Sequence, residues 1–259
     1  MAVLAGVIHL PALPGSPRST STALECARFA AADAKALAQA GYDAIIVENF
    51  GDAPFFAGKV APVTVAAMTA CAVAVREAAP SVSLGINVLR NDAEAALSIA
   101  ACVGASFVRI NVLAGARVTD QGIVQGDAAA ALRLRRALGA DRVAIWADVD
   151  VKHSAPLGAP RPLEQEVEDL TKRAMADVVL VTGEGTGKGV DLAKLDAVAR
   201  ASDKPVMVAS GATLSTLASI MQLADGIVVG SALREGGVAG GPVDAALAAA
   251  FAEAFRTFR

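Results

Sequence analysis

Cysteine and surplus charge are both scarce in this chain, and no apolar run is long enough for a membrane. Its three cysteines are an odd number without CxxC spacing, which excludes a disulfide framework and leaves no thiolate ligand pair. Cys26, Cys71 and Cys102 each fall in an Ala-rich stretch of helical character, so they read as reduced core residues of a cytoplasmic protein. A formal charge of −3 and a pI near 5.5 provide no cationic field, which argues against DNA, RNA and anionic membranes as partners. Residues 1–6 carry no basic side chain, and His9 and Pro11 interrupt the apolar run too early for an export signal. The longest apolar stretch, 60–75, is broken by Pro62, Thr64 and Thr69 and falls short of the roughly 20 residues that span a bilayer. It reads as a buried helix.

Core material, by contrast, is abundant. Hydrophobic residues make up 54% of the chain against 19% charged, and the excess is mostly Ala and Val. Short β-branched runs ending in polar or Gly-rich residues alternate with longer Ala/Leu-rich segments, the pattern of repeated βα units. Strands are predicted at 3–8, 44–48, 83–88, 107–111, 143–149, 178–181, 206–209 and 226–229. Helices are predicted at 22–40, 62–79, 92–103, 127–138, 163–175, 192–200, 214–223 and 243–255. Eight strands in 259 residues match a (β/α)8 TIM barrel, which typically takes about 250 residues as one unit, so residues 1–259 are predicted to form a single barrel domain. Thr22 with Glu25, and Asn91 ahead of Asp92 and Glu94, are placed to cap helices, and Gly41, Gly104 and Gly139 to end them. Residues 114–126 interrupt the rhythm and predict a small hairpin turning at 120–122, over the catalytic face. An open doubly wound sheet is disfavoured because the first βα turn lacks GxGxxG.

Glycine-containing turns follow the seventh and eighth predicted strands, where barrels commonly bind phosphate through backbone N–H groups. Ser210, Gly211, Ala212 and Thr213 with Gly230, Ser231 and Ala232 are therefore the candidate phosphate site. Arg234 either adds charge to it or is a solvated surface residue. Strand five ends in Asp148, Asp150 and Lys152, which share parity in an extended chain and would converge on one face. Inward carboxylates repel one another unless a cation, a proton or Lys152 intervenes. Their expected role is acid-base chemistry or metal ligation, with Lys152 favoured as an electrostatic stabiliser over a Schiff-base nucleophile. Glu48 is the further ligand for Mg²⁺ or another divalent ion, and His153 either joins that set or caps the following loop.

Polar residues end the other strands as well: Glu48, Asn49 and Asp52 on the second, Asn87 and Arg90 on the third, Arg109 and Asn111 on the fourth. Arg109 is either a catalytic cation or half of a buried salt bridge to Glu48 or Asp148. The glycine-rich loop at 182–189 carries Glu184, Thr186 and Lys188, but Gly189 stands where a Walker A loop needs Ser or Thr, so a lid bringing Lys188 to an anion is expected instead.

Five blocks together resemble a known family. They are 6–17 (Gly-Val-Ile-His-Leu-Pro-Ala-Leu-Pro-Gly-Ser-Pro), 48–55 (Glu-Asn-Phe-Gly-Asp-Ala-Pro-Phe), 85–92 (Gly-Ile-Asn-Val-Leu-Arg-Asn-Asp), 147–153 (Ala-Asp-Val-Asp-Val-Lys-His) and the 182–188 loop. The sequence is similar over essentially its whole length to the BtpA/SgcQ family. That resemblance implies a ribulose-phosphate-binding-like barrel. One cyanobacterial branch of the family is named for a part in photosystem I biogenesis, and others sit in settings of sugar or nucleoside metabolism. Two functions are therefore carried forward. The first is an isomerase, lyase or glycosidic hydrolase acting on a phosphorylated sugar or nucleoside-derived compound. The second is a non-catalytic assembly factor for a membrane protein complex. A homo-oligomer is the expected assembly.

Overall fold

The computed structural model of the protein describes residues 2–183 and 189–259. Eight parallel strands close into a barrel: β1 (Val3–His9), β2 (Ala44–Glu48), β3 (Ser83–Asn87), β4 (Phe107–Ile110), β5 (Ala144–Val149), β6 (Val178–Val181), β7 (Val206–Val208) and β8 (Gly226–Val229). Each pairs with its neighbours in sequence, and β1 completes the ring against β8 through Val3↔Gly226 and Gly6↔Val229. Every predicted strand is present to within one residue at either end. The outer ring is α1 (Ala23–Ala40), α2 (Pro62–Ala78), α3 (Ala93–Val103), α4 (Ala128–Ala137), α5 (Leu163–Glu168), α6 (Leu192–Ala201), α7 (Leu217–Met221) and α8 (Ala245–Phe255). No helix among the described residues is long and apolar enough to cross a membrane.

Local chemistry sets the helix ends. Thr22 and Glu25 form a reciprocal capping box at α1, and Gly41 and Gly104 close α1 and α3 in the left-handed region. At α3 the cap is Asp92, not Asn91: the Asp92 carboxylate accepts from the N–H of Ala95, while Asn91 is drawn to the backbone of Val112. The fifth predicted helix changes character midway, since α5 stops at Glu168 and Asp169–Arg173 continues as a wider π turn. The seventh starts late because the hydroxyls of Thr213 and Thr216 tie residues 213–216 into a turn of their own. Cys26 and Cys71 are buried as expected, but Cys102 is exposed on α3 and is not a core residue.

Alternation along the strands separates two cores. One parity faces the helices; the other fills the barrel with Ala5, Val7, Ala44, Ile46, Phe107, Trp146, Leu180, Met207 and Val228. Phe107 stacks on Trp146 with ring centroids 3.8 Å apart, and Gly85 on the adjoining strand makes room for the phenyl ring. One step further along the inward parity, the residues become His9, Glu48, Asn87, Arg109, Asp148 and Thr182, all buried. The barrel core thus ends, at the carboxyl side of its strands, in a polar layer. The predicted excursion is also present: Ala116–Thr119 and Gly122–Gln125 pair as an antiparallel hairpin, extended by Ser154–Pro156 from the loop after β5.

A methyl group at Gly85 would lie 2.2 Å from the Phe107 ring. Gly85→Ala is therefore expected to lower stability by about 1–3 kcal/mol, as overpacking of a filled core does, which urea denaturation will measure.

Candidate active site

A cavity of about 470 Å³ opens above the polar layer. It is walled by His9, Glu48 and Phe50 on one side, by Arg90, Arg109 and Lys152 on another, and by the loops after β7 and β8, with the hairpin tip at Asp120 and Gln121 reaching in from above. The floor is organised by one ion pair. Arg109 donates from Nε and Nη2 to the two oxygens of Asp148, at 3.1 and 2.9 Å, and Asn111 donates to the same carboxylate at 2.8 Å. Asn87 in turn donates to Asn111 and to the carbonyl of Arg109. Of the two salt-bridge partners considered for Arg109, Asp148 is the one it meets.

The convergence expected of Asp148, Asp150 and Lys152 does not occur. β5 ends at Val149, and Asp150 takes a left-handed conformation with φ 48°, which breaks the alternation that extrapolation assumed. Its carboxylate turns away from the cavity to meet Arg117 and Lys194 in a smaller cleft beside the hairpin. Burial works against the charge of Asp150. Hydrogen bonding to Lys194, with the Lys194 and Arg117 charges, outweighs that and holds the carboxyl below its ordinary range. Asp148 is committed to Arg109, so of the three only Lys152 lines the cavity. The divalent-ion set of Glu48, Asp148, Asp150 and His153 fails for the same reason. Two of its carboxylates already face cations, and among the described residues no three His, Cys, Asp or Glu side chains cluster as a metal requires. His153, with φ 57°, lines the mouth. Glu184 and Lys188 lie outside the described residues.

The turns after β7 and β8 do reach the cavity, through Ser210, Gly211 and Ala212 and through Gly230 and Ser231. Gly211 takes φ 78°, a conformation few other residues adopt. Among the described residues, the N–H groups of Gly211, Ala212 and Ser231 donate to no protein acceptor. Thr213 and Ala232 do not line the cavity, Thr213 being held in its hydroxyl-bonded turn. Arg234 fits neither earlier alternative. It is buried, and it donates to the carbonyls of Gly230 at 2.6 Å and Val7 at 2.8 Å, so it clamps the β8 turn to β1.

Residues 1–257 match the BtpA family model. The chain belongs to the BtpA family. It is 44% identical over 250 residues to the photosystem I biogenesis protein BtpA of Synechocystis, covering 96% of this chain and 86% of the relative. It is 43% identical over 241 residues to an uncharacterized protein of Pyrococcus furiosus, covering 93% and 89% of the two chains. Among solved structures it is similar to thiamine phosphate pyrophosphorylase from Pyrococcus furiosus, with a TM-score of 0.61 at 14% identity over 99% of this chain and 96% of that one. Phosphoribosyl anthranilate isomerase from Thermus thermophilus gives 0.60 at 14% identity, over 99% and 100%. At such identity these two structures speak for the barrel fold and nothing finer.

In this BtpA-family barrel the residue that sequence reasoning passed over is His9, which was weighed only as an interruption of an apolar run. It is the inward-parity residue ending β1. Its Nδ1 accepts from the N–H of Gly240 at 3.1 Å, so a neutral ring carries its proton on Nε2, 3.8 Å from Glu48 Oε1. Burial, with the charges of Arg234, Lys152 and Arg109, pushes the imidazole well below its ordinary pKa. Lys152 is the second perturbed base of the cavity. Its two neighbouring carboxylates, Glu48 and Asp148, act to raise its pKa, but burial and then the Arg109 charge outweigh them and lower it.

Two outcomes follow for the BtpA-family site. His9 and His153 are the only histidines, so the His9 ring signals are assignable by NMR with a His153→Gln variant, and they should not titrate as pH falls through 6.5. Because an unfolded His9 takes up a proton near 6.5 and the folded one does not, its contribution to stability is present above that pH and declines below it. Asp148→Asn strips the Arg109 guanidinium of its counter-charge in a buried setting, which should cost about 3–5 kcal/mol in urea denaturation.

Proposed function

We propose that this BtpA-family protein is an enzyme that binds a small phosphorylated sugar or nucleoside-derived compound at the barrel mouth and works on it by proton transfer, as an isomerase, lyase or hydrolase. The observation that carries this reading is that one cavity is shared by Glu48, a neutral histidine, a half-buried lysine and backbone N–H groups that have no protein acceptor among the described residues. The names of the solved barrels above include phosphorylated compounds, which agrees with it.

The phosphoryl group rests on the turns of Ser210 to Ala212 and of Gly230 and Ser231, where small residues let its oxygens approach the backbone N–H groups. Lys152 Nζ, 3.4 Å from Ser210 Oγ, supplies positive charge beside that group. Glu48 is the carboxylate that lines the cavity from the polar layer, and it serves as the base. The proton that Glu48 takes from one atom of the substrate is returned by the same carboxyl to another, and neutral His9, with Nε2 3.8 Å from Glu48 Oε1, keeps its proton and donates a hydrogen bond to the reacting oxygens. Arg109, neutralised by Asp148, stabilises negative charge that develops at the reacting atoms.

The first test is a thermal-shift screen with inorganic phosphate and a panel of phosphorylated sugars and nucleosides, because a ligand that binds only the native state raises its melting temperature. Ser231→Asp, which sets a carboxylate at the phosphoryl position, should weaken those ligands about tenfold or more, equal to 1.4 kcal/mol. Once turnover is found, Glu48→Gln should lower kcat about 100-fold or more with the fold intact. A panel that leaves the melting temperature unmoved, or a Glu48→Gln variant of full activity, would remove the reading.

A further inference from the structure

The cavity holds one charge that the proposed chemistry does not use. Arg90 is buried to within 6% of its surface, lines the cavity and forms no ion pair within 4.0 Å among the described residues. Its Nη2 donates to the carbonyl of Lys152 at 2.7 Å, and its Nε has no hydrogen-bond partner. A buried guanidinium with neither counter-ion nor full hydrogen bonding is costly unless a ligand completes it. Arg109, its neighbour on β4, differs in being matched by Asp148. The Asp120 carboxylate at the hairpin tip also borders the cavity, but it is engaged with Gln121 rather than with Arg90.

The place of Arg90 in the ring matters. It follows β3, and Ser210 and Gly211 follow β7; in the closed order of eight strands these are four steps apart either way round, on opposite sides of the mouth. The Arg90 guanidinium reaches over to the backbone of Lys152, and the Lys152 side chain runs on to Ser210. Donors are thus laid across the cavity from one wall to the other, and a phosphoryl group on the β7 and β8 turns would leave the Arg90 end unfilled.

We infer that the ligand is anionic at both ends: a phosphoryl group on the β7 and β8 turns and a second anion, carboxylate or phosphate, on Arg90. This rests on the phosphate site proposed above and narrows the substrate class to phosphorylated acids or bisphosphates of small carbon chains. A guanidinium suits either anion, since its planar fork of N–H donors matches two oxygens.

The experiment is titration calorimetry of the intact protein with glycerol 3-phosphate, 3-phosphoglycerate and ribulose 1,5-bisphosphate, with inorganic phosphate as reference. At least one of the two doubly anionic compounds should bind about tenfold or more tighter than glycerol 3-phosphate, and which of them does so names the second anion. In Arg90→Gln that advantage should vanish while affinity for glycerol 3-phosphate stays within about twofold. Arg90→Lys keeps the charge without the fork and should retain part of the advantage, and circular dichroism of both variants checks the fold. If Arg90 variants are too unstable to assay, the ligand ranking on the natural protein decides alone. Equal affinity for singly and doubly anionic compounds would overturn this inference and leave the phosphate site standing. A loss in Arg90→Gln as large for glycerol 3-phosphate as for the others would also overturn it, by making Arg90 part of the single phosphate site. Failure of all four compounds, inorganic phosphate included, would overturn the phosphate site and this inference with it.

Discussion

The paired charges of Arg109 and Asp148 are the constraint around which the mouth of this barrel is built. They sit on adjoining strands in the inward parity, where a TIM barrel ordinarily continues its apolar layers, and neither is accessible enough to be hydrated. Two hydrogen bonds between them and a third from Asn111 satisfy the carboxylate, and Asn87 ties Asn111 and the Arg109 backbone to the third strand. Replacing such a pair by hydrocarbon often leaves stability unchanged or improved, so its presence is poorly explained by stability alone. It fixes a cation beneath a cavity without letting it move, the preorganisation that electrostatic catalysis needs.

From that floor the remaining charges follow an order. Lys152, half-buried, and Arg90, buried, lie above a cation that is already matched, so each is held in a state that a bound anion would relieve. His9 is kept neutral first by burial and then by the charges of Arg234, Lys152 and Arg109. The turns of β7 and β8 complete the arrangement with N–H groups, and Arg234 holds the second of them in place from behind. Arg90, Arg109 and Lys152 line the cavity together with the carboxylates of Glu48 and Asp120, while Asp148 beneath matches Arg109.

Among the described residues, the hairpin of residues 116–125 is the one large departure from a plain barrel. Its inner face carries Arg117, whose ion pair with Asp150 draws the end of the fifth loop outward, and its tip brings Asp120 and Gln121 to the cavity. The segment that narrows the mouth therefore also decides which residues of the β5 loop face it. Asp150 faces the hairpin, and Lys152 faces the site.

The sequence by itself determined the barrel. Eight β-branched runs with helical segments between them, turn glycines at Gly41 and Gly104 and the interrupting hairpin are all local signals, written in periodicities of 2 and 3.6. Parity along regular strands likewise placed Glu48, Asn87, Arg109 and Asp148 at one end of the ring. Only the tertiary structure decided what happens where strands stop. Asp150 left the expected cluster because one residue adopts φ 48°, and Asp148 left it because Arg109, distant in sequence, claims both its oxygens. His9 gained its importance from Gly240 and Glu48, partners that no local pattern reveals. Arg234 looked like a solvated or anion-binding charge and is instead a clamp between the last strand and the first. Periodicity fixes which face a residue of a regular strand presents. The partner it finds, and hence its charge state and its chemistry, depends on loops and on ring closure between segments far apart in the chain.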